Sequence, residues 1–201
     1  MRRPSTIDLL LVAGPPLLLA GLGLAHPMDL TADSARRWRD LHTVLLPIFP
    51  LLALGPWLIA RAEHWSVRWL VALLGFVYAV FYTALDVLAG IAAGALKMAG
   101  AEEKWTSVMF AQGNDLSSYG VWAYLVAALL AAGFALRRAG IWAIPGATVV
   151  LVAAVSFLDS HIYWPVGGLT MIAFAVGWTA LLVALANPMA ASEPARERAI
   201  V

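Results

Sequence analysis

The 201-residue chain contains no cysteine, which excludes disulfides, thiolate zinc sites, iron–sulfur ligation and CxxC redox chemistry. Any metal must be held by His, carboxylate or Met. Charge is equally scarce: 12% of residues are Asp, Glu, Lys or Arg, against roughly 25% in a soluble domain. The net charge of +1 gives no attraction for nucleic acid, and no basic patch with interleaved aromatics occurs. GxSxG, Walker A, GxGxxG and HExxH are all missing, so serine-hydrolase, nucleotide-binding, Rossmann and zincin readings have no footing.

What is abundant is apolar sequence: 62% of residues are hydrophobic and the mean hydropathy is +0.83. The runs fall at 7–25, 41–60, 67–96, 118–136, 141–163 and 168–187, each near the ~20 residues needed to cross about 30 Å of hydrocarbon. Backbone in lipid must satisfy its own hydrogen bonds, and these continuous runs lack the alternation of barrel strands. The reading is an all-α, polytopic integral membrane bundle of six transmembrane helices, one domain over 1–187, followed by a short cytoplasmic tail over 188–201. Arg2, Arg3 and Gly23-Leu24-Ala25 resemble a signal peptide, but the apolar stretch exceeds a usual signal core and reads as an uncleaved span.

With the N-terminus in the cytoplasm, eight basic residues lie inside (Arg2, Arg3, Arg61, Arg68, Arg137, Arg138, Arg196, Arg198) and five outside (Arg36, Arg37, Arg39, Lys97, Lys104). That agrees with the positive-inside rule and puts both termini in the cytoplasm, the plasma membrane being the host. Trp57, Trp65, Trp69 and Trp142 fall at the inner boundary and Trp38, Trp105 and Trp164 at the outer one, as an aromatic belt. The segments 26–40 and 97–117 read as long polar outer loops, with Asp40, Asn114 or Asp115 as helix caps. Three spans followed by three suggest an inverted repeat, but span 3 carries Asp86 and two tyrosines while span 6 carries no charge.

In span 3, Tyr78, Tyr82 and Asp86 follow at i, i+4 and i+8 along one drifting stripe, continued by Gly90 and Gly94. Gly90 to Gly94 is a GxxxG, read as a helix-packing face. A carboxylate at mid-bilayer costs about 2.5–3.5 kcal/mol and is by default a functional candidate, with a structural hydrogen bond as the bland alternative. His26, His42 and His161 map to the same outer level as Asp86; His64 lies on the inner side. Asp159 and Ser160 accompany His161, ahead of Tyr163-Trp164-Pro165. Prolines at 15, 16, 47, 50, 56 and 145 are expected to kink spans 1, 2 and 5, which carry those three histidines.

Neutral imidazoles with carboxylates suit zinc, iron or copper, and two facing imidazoles suit a haem. The metal-ligand candidates are therefore His26, His42 and His161, with Asp86 and His161 as acid and base, and Tyr78, Tyr82 and Asp159 lining the pocket. The leading expectation is an outward-opening pocket between spans 1, 2, 3 and 5 for a metal, a haem or a small amphipathic ligand, with enzymatic activity in prospect. A proton-coupled transporter using Asp86 is the second. The third is a structural subunit that meets a membrane-protein partner or a second copy through small residues such as Ala127, Ala128, Ala131, Ala132 and Gly133.

Overall fold

The fold is that of a computed structural model, which describes residues 4–187; the expected tail lies outside them. Among the described residues every regular element is helical: α1 (Thr6–Gly23), α2 (Ala35–Leu45), a 3₁₀ turn (Phe49–Ala53), α3 (Leu54–Ala60), α4 (Trp65–Leu85), a π-helical segment (Asp86–Ala92), α5 (Ala93–Met98), α6 (Glu103–Ala139), α7 (Ile144–Ser156) and α8 (Val166–Ala186). Five helical stretches are long and apolar enough to cross a membrane: Thr6–Gly23, Ala35–Ala60, Trp65–Met98, Glu103–Ser156 and Val166–Ala186. Against six expected spans, the difference lies in the 54-residue stretch Glu103–Ser156. It is not one rod: Gly140 adopts φ 54°, open to a residue without Cβ, and α6 and α7 then pack against each other.

The prolines act differently in each helix. Pro15 and Pro16 sit inside an α1 that continues through them, whereas Pro47 and Pro50 fall where α2 gives way to the 3₁₀ turn. Pro145 occupies the first turn of α7, where a missing N–H costs nothing.

Two expected loops prove partly helical. α2 begins at Ala35, so Asp40 is inside the helix and not a cap. α6 runs unbroken from Glu103 for 37 residues, about 55 Å, so Asn114 and Asp115 are likewise internal. Hydropathy misses the first half of α6 because its buried face is small and weakly polar: Thr106, Gly113, Ser117 and Gly120 repeat every three, four or seven residues. Close approach replaces bulk there. A methyl on Gly113 would lie 3.1 Å from the Cβ of Ala89.

The core is aromatic at its centre, where Tyr78, Tyr124, Phe157, Phe174 and Trp178 are fully buried. Tyr78 donates to the carbonyl of Phe49 (3.0 Å) and Trp178 to the hydroxyl of Tyr124 (3.2 Å), so polar atoms in the core are satisfied in pairs. At the bundle end carrying the start of α1 and the end of α6, Arg61 grips the Asp8 carboxylate with two nitrogens, and Arg137 and Arg138 both pair with Glu63. Asp8 also completes a capping box with Ser5. The Asp8 carboxylate in turn raises the Arg61 guanidinium above its ordinary value.

Candidate metal centre

At the opposite end, three chain segments converge. α2 contributes His42 because its buried face, Ala35, Trp38, His42 and Leu45, is a helical stripe, while Arg36, Arg37 and Asp40 face out. His26 follows two residues after Leu24, the C-cap of α1. His161 lies in the link between α7 and α8, seated on α1 by two contacts. Trp164 donates its indole N–H to the carbonyl of Ala20 (2.9 Å), and Gly23 lets the Ile162 carbonyl approach so closely that a Cβ there would be 2.3 Å from it.

The three imidazoles meet. One ligand nitrogen from each of His26, His42 and His161 lies within 4.8 Å of the other two, so a central atom sits no more than about 2.8 Å from all three. Closing to the 2.0–2.1 Å of a zinc–imidazole bond requires less than 1 Å of movement per ring. The His42 and His161 rings are parallel to within 5°, with centroids 5.8 Å apart. His26 stands edge-on to both, at 5.0 and 5.7 Å.

Hydrogen bonds fix which nitrogen is free. His26 Nδ1 donates to the Pro27 carbonyl (2.6 Å) and His42 Nδ1 to the Trp38 carbonyl (2.8 Å); a carbonyl only accepts, so the lone pair in each ring is on Nε2. His161 Nδ1 is paired with the Tyr82 hydroxyl (2.8 Å), so its unoccupied nitrogen is also Nε2. The Nε2 atoms of His26 and His161 are buried with no partner. Nδ1 bound to oxygen and Nε2 left open is how metal-ligating histidines are oriented. Burial pushes His26 below the usual histidine range, against the pull of the Pro27 carbonyl, and pushes His161 well below it, with the other two imidazoles adding to the effect. Both rings are held neutral, the form that binds metal.

Asp86 opens the π-helical segment, is 0% exposed, and neither carboxylate oxygen has a hydrogen-bond partner. Tyr82 touches the cluster through its hydroxyl; the Tyr78 hydroxyl is instead bound to Phe49. Asp159 is exposed, in an open cleft of about 440 Å³ that it shares with His161, Tyr163 and Ser156. A second cleft, about 470 Å³, is lined by Tyr163 with Trp38, Lys97 and Glu103. Tyr163 lines both clefts. Its ring lies 4.5 Å from His26, and burial pushes its phenol up to about 12. His64 caps α4 and stands apart from the cluster.

Trp38 and Trp164 correct the belt reading. Trp57, Trp65, Trp69, Trp105 and Trp142 are exposed, but Trp38 is 3% exposed and donates to the Ala89 carbonyl (3.0 Å). It is a buttress of His42, one turn along α2, and the i, i+4 spacing on the face opposite the arginines is the signal that marks it. Phe49, stacked on His161 with centroids 5.0 Å apart, carries no such signal. Comparison with protein-family models, curated proteins and solved structures returns no match.

Proposed function

We propose that this protein is a six-pass membrane metalloprotein that holds zinc or copper on His26, His42 and His161. The observation carrying this reading is the convergence of three imidazoles whose Nδ1 atoms are each tied to an oxygen. Three nitrogen ligands with a fourth position open is the donor set of catalytic rather than structural zinc sites. Such an ion polarises water or a carbonyl, and the cleft that His161 shares with Tyr163 and Asp159 gives a small amphipathic ligand room beside it. Haem is disfavoured, because His26 stands edge-on where the macrocycle would extend from an axis through His42 and His161. A transport path along span 3 is disfavoured by the close-packed Tyr78, Tyr124 and Phe157 beneath the cluster.

The six passes follow from counting α6 and α7 separately across Gly140. The arginine-rich end, with Arg61, Arg137 and Arg138, then faces the cytoplasm of a plasma-membrane protein and the histidines face outward. The test is elemental analysis of protein purified in mild detergent, with His42→Ala and His161→Ala alongside. One zinc or copper per chain, lost in both variants, is expected; a metal-free protein that takes up neither ion overturns the reading.

A further inference from the structure

A metal on the three imidazoles and the unpartnered Asp86 carboxyl would each supply what the other lacks. A divalent ion on three neutral imidazoles keeps its full charge of +2 in a site of low polarity, where an uncompensated ion is strongly disfavoured. Asp86 is the converse. Of the two acids in the buried class among the described residues, Asp8 is gripped by Arg61, while Asp86 has neither an ion pair nor a hydrogen bond. Its place in the chain is also telling. It lies one turn after Tyr82, whose hydroxyl contacts His161, and one turn before Gly90, against which the His42 ring rests. The group of mutually close donor atoms contains three imidazoles and no carboxylate oxygen, so Asp86 lies beyond direct ligation.

Resting on the metal reading above, we propose that Asp86 is the fourth member of the centre. Its carboxylate supplies counter-charge and accepts a hydrogen bond from a water held at the ion's open position. Asp86 is thus a positioning residue for the water that the ion polarises. The π-helical segment that starts at Asp86 belongs to the class of helix distortion that recurs at functional sites.

The experiment uses the full chain in detergent and measures zinc affinity by competition with a chromophoric chelator. Asp86→Asn is expected to bind zinc at least tenfold more weakly than the parent, the range for loss of an outer-shell partner, with one site per chain retained. Zinc affinity within twofold of the parent overturns the inference alone, provided His42→Ala and His161→Ala abolish binding. Failure of the parent chain to bind zinc, copper or cobalt overturns the metal reading and the inference with it. A second measurement needs no variant: azide added to the cobalt-loaded parent is expected to displace the water and change the visible absorption, and an unchanged spectrum overturns the open position. In cobalt-loaded Asp86→Asn the azide affinity is expected to shift, which a purely structural role would not produce.

Discussion

The His42 ring lies against the α-carbon of Gly90, so closely that a methyl at Gly90 would meet the ring's Cγ at 2.2 Å. α2 and the π-helical segment therefore touch through a metal-ligand candidate and a residue without a side chain. Gly90→Ala is expected to push the imidazole out of the cluster, with loss of bound metal and a cost of about 1–3 kcal/mol from overpacking. Metal content with a thermal melt checks both. Gly133→Ala, inside α6 where a methyl meets nothing within 4 Å, is the control and should leave metal content unchanged and the melt equal or higher.

Tyr82 and Tyr78 separate ligand support from fold support. Tyr82→Phe removes the oxygen beside His161 Nδ1 and is expected to weaken metal binding about tenfold or more. Tyr78→Phe leaves the buried Phe49 carbonyl without its donor, costing about 1–3 kcal/mol of stability, with metal affinity held. Equal metal affinities in the two variants would contradict this division.

Stability of the metal-free protein is expected to fall as pH drops through about 6.5. His26 and His161 have folded-state values below the ordinary one, so in that window the unfolded chain binds more protons than the folded one, and stability rises with pH. A melt series from pH 8 to pH 5, with and without added zinc, reads this directly. Zinc is expected to raise the melt by binding the folded state, with a fall on acidification at least as large, because metal-bound nitrogens take up no protons while the unfolded chain does.

The absence of cysteine makes orientation testable without a background. Single cysteines at Ala62, beside Arg61, and at Asp33, before α2, both replace exposed residues. In intact cells a membrane-impermeant thiol reagent is expected to label Asp33→Cys and spare Ala62→Cys. The reverse pattern would invert the proposed topology.

Much of this was legible in the sequence because its signals are additive. Long apolar runs state the helical class, and the polar residues left inside or beside them pick out three histidines and Asp86. What hydropathy could not reveal is contact made by small or local groups. The first half of α6 packs through Thr106, Gly113 and Ser117, which score as loop. Trp38 looks like a boundary tryptophan until its neighbour at i+4 is known to be a buried histidine. Asp159 adjoins His161 in sequence yet turns outward, because the chain beyond α7 is no longer helical and neighbouring residues there need not share a face.

The π-helical segment has a geometric consequence for the stripe that runs from Tyr78 to Gly94. In a regular α-helix each four-residue step overshoots a full turn by about 40°, so the four steps between these residues would rotate the stripe by about 160°, most of the way to the opposite side. A wider turn closed by i→i+5 bonds undershoots instead. Placed at Asp86–Ala92, it winds the drift back, so that one helix presents Tyr82 to the α7–α8 link and Gly90 to α2 from the same side. Ordinary α-helical winding over the same eight residues would set Tyr82 and Gly90 about 80° apart, and the two contacts could not both be made from one face.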